Sequence, residues 1–279
     1  MVNGNIWTKL GQIDRRILWT VQFIIMVVVL LRPIGLPIRV SRESQNMFDF
    51  YESIPQGSIV WFEFGYDPSG EHEISPMVSA LFHHAFQRGL RVVGSGLWMF
   101  GPTLGQNIFE EIGPQYEAEY GIDFVNLGYN PGGEMLAKAL VDDVWTTVRG
   151  VDHFGTPLSE LPLMAEVPKL TKDYVAAITV FAEGSPGATA WLHSVTQPTG
   201  IPLTEGCITM SVPQAMPYLQ SGQFRAIIPG SRGAAEYEFL VGRPGAAIAG
   251  QDVLSMMSVY LWILIIIGNI AFVKTSKKR

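Results

Sequence analysis

Apolar positions change their spacing twice along this chain. Near the two ends lie long runs without a charged residue, Ile17 to Leu31 and Val253 to Val273. Between them the apolar residues fall into short blocks that read as buried strands: Ser58 to Phe64, Leu90 to Val93, Ile122 to Leu127, Ala176 to Ala182, Cys207 to Val212 and Phe224 to Ile228. Helical spacing separates the blocks, at Ser75 to Arg88, about Leu104 to Tyr120, Gly133 to Val148, Ala188 to Val195 and Pro213 to Leu219. In the first of these, Val78, Leu81, Phe82 and Ala85 form one apolar stripe at i, i+3, i+4, i+7. Strand and helix in alternation imply βαβ units and a parallel sheet covered on both faces. The pattern predicts an α/β, Rossmann-like domain with a mostly parallel sheet of about six strands, flanked by N- and C-terminal transmembrane helices.

The second apolar run, residues 253–273, is long enough to cross a hydrocarbon core of ~30 Å at about 1.5 Å per residue. The first is shorter, and spans only if the helix starts near Ile13 and Arg32 snorkels, which sets the predicted span at 13–32. Lys9, Arg15 and Arg16 precede or open that span, and Lys274, Lys277, Lys278 and Arg279 follow the other. The positive-inside rule then puts residues 1–12 and 274–279 in the cytoplasm and residues 33–252 outside, in a two-pass protein of the cell membrane. No small-x-small site follows Leu31, so the first span reads as an anchor rather than a cleaved leader.

Charge narrows the partners. Residues 33–252 carry eleven Lys and Arg against twenty-four Asp and Glu, a balance of −13. Nucleic acid and anionic headgroups both need a basic footprint and are excluded as partners of this segment; cations and cationic partners are not. Cys207 is the only cysteine, so neither an intrachain disulfide nor a thiolate cluster is available, and its apolar setting reads as core.

Two strand ends carry the same phrase, Gly65-Tyr66-Asp67-Pro68-Ser69-Gly70-Glu71 and Gly128-Tyr129-Asn130-Pro131-Gly132-Gly133-Glu134. A looser third version is Glu183-Gly184-Ser185-Pro186-Gly187. Glycine allows a sharp exit from a strand, proline suits the first helical position, and the first-turn N–H groups of the following helix then face outward at the carboxyl edge of the sheet. A parallel sheet keeps its ligand crevice at that edge. The candidate ligand-binding residues are therefore Tyr66, Asp67, Glu71, Tyr129, Asn130, Gly132, Gly133, Glu134, Ser185 and Gly187, with Ser95, Gly96, Glu183 and Gln214 near them.

Specific chemistries are harder to build. Asn130-Pro131-Gly132-Gly133-Glu134 resembles the Pro-Gly-Gly loop of the crotonase and Clp-protease fold, which includes membrane-anchored serine peptidases. That resemblance implies glycine amides lining an oxyanion hole, with a serine nucleophile on the next strand-to-helix turn. The turn offers Ser185, and the nearest bases are Lys138 and His193; Ser185 before Pro186 reads instead as a helix cap. No Gly-x-Gly-x-x-Gly opens a βα turn, so no nucleotide cofactor is expected, and no cofactor of any other kind. Glu71-His72-Glu73 and His83-His84 do not have metal-site spacing and read as surface histidines.

Two irregular stretches complete the chain. Asp152 to Lys172, broken by Pro157, Pro162 and Pro168, reads as a contact-forming excursion carrying Leu161, Leu163 and Met164, and Pro229 to Gln251 is rich in glycine and alanine and reads as an ordered packing element. With Trp98, Phe100, Trp191 and Tyr218 as exposed aromatics and Gly268 and Asn269 in the second span, these favour a structural or assembly subunit, homo-oligomeric or joined to other membrane-protein subunits. The alternatives are a small-ligand-binding protein and a membrane-anchored hydrolase.

Overall fold

A computed structural model describes residues 13–184 and 187–276. The chain divides into two compact units, one formed by the terminal segments up to Pro37 and from Ile248, the other running from Ile38 to Ala247.

In the terminal unit, helix α1 (Arg15–Leu31) starts where Asp14 accepts a hydrogen bond from the Arg16 N–H at 2.8 Å, and it stops at Arg32, before Pro33. Its 17 residues make a rod of about 25 Å, shorter than a hydrocarbon core. Among the described residues one helix is long and apolar enough to cross a membrane, and it is the C-terminal one, with a mean hydropathy of 2.2 over its most apolar window. It begins at Ala246, seven residues before the predicted span, and runs to Ser276. Asp252 is buried near its start and accepts hydrogen bonds from the Gly35 N–H at 2.7 Å and the Leu36 N–H at 3.1 Å. Tyr260 donates to the Leu18 carbonyl, at 2.8 Å.

The second unit opens with a helix the apolar pattern did not signal, α2 (Arg42–Glu52), capped by Ser41. There follow β1 (Ile59–Gly65), α3 (Glu71–Gln87), β2 (Arg91–Gly96), α4 (Gly101–Ile112), β3 (Phe124–Tyr129), α5 (Gly133–Asp142), β4 (Ala177–Ala182), α6 (Gly187–Trp191), β5 (Leu203–Cys207), α7 (Val212–Gln220), β6 (Ala226–Pro229) and α8 (Gly230–Val241). The C-terminal helix Ala246–Ser276 is α9. All six strands are parallel, in the order β3-β2-β1-β4-β5-β6. This is the doubly wound arrangement, and the chain reverses its direction of winding between β1 and β4.

Strand alternation assigns the two faces. Val60, Phe62 and Phe64 point to the side of α3 and α4, where Phe62 meets Phe82 and Phe64 meets Phe109 edge to face. Gly101 and Gly105 let α4 press on this layer: a Cβ at Gly101 would stand 2.0 Å from the Phe64 carbonyl oxygen. Trp61 points to the other side and joins Val93, Val125, Ile178, Val180, Leu203 and Ile227 in a core covered by α5, α6 and α7.

Several expectations are corrected. The fifth strand is Leu203–Cys207, not Cys207–Val212, because a fully buried strand tolerates Thr204, Glu205 and Gly206 where an apolar count does not. Helix α3 starts at Glu71 rather than near Ser75; the carbonyl that Pro76 leaves without a donor is that of His72, an exposed residue. The excursion is core rather than contact surface, with Leu161, Leu163 and Met164 buried. The Gly/Ala-rich stretch is ordered, as expected, but its first half is α8, which packs Ala234 and Ala235 inside the α/β unit against α3. Trp191 is buried, leaving Phe100 exposed and Trp98 and Tyr218 half-buried. His84 is also buried: it stacks on Phe48, and its ring nitrogens pair with the Tyr237 hydroxyl at 2.7 Å and Glu52 at 3.0 Å.

Candidate functional site

The repeated turns do different things. β1 and β4 are neighbours, so the first and third turns lie side by side, and Glu183 joins them by accepting from the Asp67 N–H at 3.2 Å and from the Ser69 hydroxyl. Asp67 itself accepts from the Ser69 N–H at 2.7 Å, and these Ser69 hydrogen bonds hold its carboxyl below the usual carboxylate range. Tyr66 is buried, with its hydroxyl 3.3 Å from that of Ser75, and burial raises its pKa. Glu71 is exposed and lines a broad groove of about 900 Å³ beside His72, Ser75 and His83.

The second turn follows β3, at the sheet edge and two strands away from β1. Asn130 is buried, and its amide donates to the Leu127 carbonyl at 2.9 Å, closing the turn on itself. Gly132 and Gly133 take φ of 144° and 55°, which side chains rarely adopt. Glu134 is exposed; Tyr129 and Asn130 line a small recess of about 170 Å³ with Arg149 and His153. Lys138 lies on the exposed side of α5, and the exposed His193 contacts Gln197 at 3.3 Å. Ser185 lies outside the described residues. Gly187, with φ of 27°, opens α6.

A further cavity lies elsewhere on the carboxyl edge. It lies between the ends of β4 and β5, holds about 310 Å³, and is lined by Gly184, Gly187, Ala188, Ser211, Gln214, Tyr218 and Phe224, with Glu205 beneath them. Tyr218 and Phe224 stack with ring centroids 5.0 Å apart. Ser211 donates to the Glu183 carbonyl at 3.3 Å, tying this rim to the clamp between the first and third turns. Among the described residues, Gly187 is the one candidate ligand residue that reaches this cavity, together with Gln214 from the wider strand-end set.

Glu205 is the residue the apolar pattern missed. It is 7 % exposed, and its Oε2 has no hydrogen-bond partner among the described residues. Burial pushes its pKa from 4.5 up to about 8, so at pH 7 it is the neutral acid. A signal for it exists: with Leu203 and Cys207 as inward positions of one strand, Glu205 must share their face.

The sheet register puts a second buried carboxyl in the same row. Ser95, Glu63, Val180, Glu205 and Ile227 are successive partners across β2, β1, β4, β5 and β6. Glu63 and Glu205 are therefore two strands apart, about 10 Å along the sheet. Burial pushes Glu63 up to about 7, offset by hydrogen bonds from the Ser95 hydroxyl and the Leu97 N–H. Trp61 in turn donates to Ser95 at 2.8 Å. Glu63 is thus paired, as part of the fold, whereas Glu205 faces a cavity with an acceptor to spare. Burial also raises the Cys207 thiol, which makes it a poor nucleophile. No cluster of three or more His, Cys, Asp or Glu placed to hold a metal occurs among the described residues.

Compared with known proteins, the chain matches no family model, no curated protein and no solved structure.

Proposed function

We propose that this chain is a membrane-anchored binding protein, and that the cavity over Glu205 takes a small molecule. The observation that carries the reading is a buried carboxyl group with an unpartnered oxygen at the floor of a cavity of ligand size, at the edge where doubly wound sheets bind their ligands. A buried carboxyl oxygen without a hydrogen-bond partner costs about 1–3 kcal/mol, a cost that a polar group of a ligand would remove. In this reading α9 anchors the protein and α1 crosses the bilayer as a second, short span, so that both termini are cytoplasmic and the acidic α/β unit faces outward. The flanking charges Arg15, Arg16 and Lys274 support that orientation.

The test is native mass spectrometry of the full chain extracted in mild detergent. A non-protein mass retained by the wild type and lost from Glu205→Gln supports the reading. A wild type that carries none, and that no small molecule in a thermal-shift panel stabilises more than the variant, refutes it.

Assembly is the second reading, favoured by Met99 and Phe100, which are exposed side by side after β2 and next to the half-buried Trp98. The same spectra decide it: a homo-oligomer or co-purifying subunits, dispersed by Phe100→Ser, support an interface there, and a bare monomer sinks it.

A further inference from the structure

Resting on the proposed binding function, we infer that the ligand is a small organic cation, an ammonium group on a compact apolar body, and that it displaces the proton of Glu205 on binding. Three features of the cavity point the same way. Glu205 lines it, and the Oε2 of that carboxyl has no hydrogen-bond partner among the described residues. Its wall carries two aromatic side chains, Tyr218 and Phe224, the kind of group that attracts a cation. Among the described residues its lining includes no Lys, Arg or His to neutralise the carboxylate or repel a positive charge. Ala182, Ala188 and Ala215 supply apolar contact for the rest of the molecule. The excess of acidic residues in 33–252 adds a field that concentrates cations near the cavity.

The exchange balances simply. An alkylammonium enters with its charge, Glu205 gives its carboxyl proton to solvent, and a carboxylate–ammonium pair remains. One proton leaves for each cation bound, and the net charge inside the cavity stays at zero. The other titratable groups around Glu205 do not compete for the role. Cys207 lies two residues along on the same face, with its thiol held protonated partly by Glu205. Glu63 is two strands away and already paired to Ser95 and Leu97. Tyr218 faces the cavity from α7, Glu183 turns its carboxylate to Asp67 and Ser69, and α6 contributes no charged side chain to the lining.

The experiment uses the full chain in mild detergent and three probes of one shape: benzylamine, benzyl alcohol and benzoate. Calorimetry in two buffers of different ionisation enthalpy counts protons, and the titration is repeated from pH 6 to pH 9. Benzylamine is expected to bind with release of about one proton at pH 7, and its affinity to rise about tenfold per pH unit until Glu205 is ionised in the free protein. Glu205→Gln is expected to weaken it at least tenfold and abolish the proton release. The pH series on the wild type stands even where that variant folds poorly. Benzyl alcohol binding as tightly as benzylamine, or benzylamine binding with no pH dependence, overturns the cation while leaving the binding pocket intact. No binding by any probe up to about 20 mM, weaker than any useful affinity, also overturns it, and the fate of the pocket itself then follows from the co-purified mass.

Discussion

Glu205→Gln should make the α/β unit more stable, and increasingly so as the pH rises. In the folded chain this carboxyl holds its proton to about pH 8, whereas in the unfolded chain it loses it near 4.5. Between those values the folded state binds one proton more than the unfolded state, so stability falls as pH rises through the window, and is constant above it. Each pH unit is worth about 1.36 kcal/mol, which gives a loss of about 3 kcal/mol by pH 7 and about 5 kcal/mol well above pH 8. Glutamine has the shape of the neutral acid and no proton to lose in either state. The variant should therefore lie within about 1 kcal/mol of the wild type near pH 5 and exceed it by about 3 kcal/mol at pH 7, or about 6–12 °C in Tm for a unit of this size. Thermal melts followed by circular dichroism from pH 5 to pH 9 read the difference directly. His84 and Glu63 also titrate with shifted values, but they are common to both proteins and cancel in that difference. Two curves that run parallel across the whole range would refute the claim that Glu205 is buried and protonated.

Other perturbations probe the frame around the site. Gly101→Ala drives a methyl group into the Phe64 carbonyl, a backbone atom that cannot step aside, and should cost about 3 kcal/mol or leave the chain insoluble; denaturant unfolding measures it. Asp252→Ala strips the acceptor from the Gly35 and Leu36 N–H groups, at about 1–3 kcal/mol, and limited proteolysis between Arg32 and Arg42 should speed up if those bonds hold the segment. Glu183→Ala removes the acceptor shared by Asp67 and Ser69 and should lower stability by about 1–2 kcal/mol, read as a reduced denaturant midpoint; an unchanged midpoint would mean that the clamp contributes nothing.

The sheet was legible because its strands are unusually pure. Ile59–Gly65 and Ala177–Ala182 are buried along their whole length, as a parallel strand covered on both faces must be, and that leaves a contiguous apolar block in the chain. The strand order was not legible, since the same alternation fits several windings. The fifth strand failed for the reason that makes it interesting: it carries Thr204, Glu205 and Gly206, and an apolar count slides past them to Cys207–Val212. The α2 helix failed differently. Its few buried positions, Ser44, Met47 and Tyr51, give no apolar stripe, and its place comes from tertiary bonds such as the Ser44 hydroxyl to Glu236 at 2.8 Å and Tyr51 to Thr179.

The glycine turns were legible too, but repetition was a poor guide to their use. A strand-to-helix turn exposes backbone donors at the carboxyl edge wherever it occurs, so three similar turns imply three similar exits from a sheet before they imply a ligand. Here part of that hydrogen-bonding capacity is met within the protein: Glu183 accepts from the Asp67 N–H and the Ser69 hydroxyl of the first turn, and the Gly96 carbonyl accepts from the Asn130 N–H of the second. Such turns fix the rim of a site without having to touch its contents. What a ligand needs is a group the fold has left incomplete, and the row of partners across the sheet shows where that is. Glu63 and Glu205 occupy equivalent levels of β1 and β5, both buried and both raised in pKa, yet Ser95 and the Leu97 N–H complete one, while the described protein leaves an oxygen of the other without a donor. Of the two buried carboxyls, the one to which the fold supplies donors is part of the frame, and the one beside the cavity is the one on which the proposed binding rests.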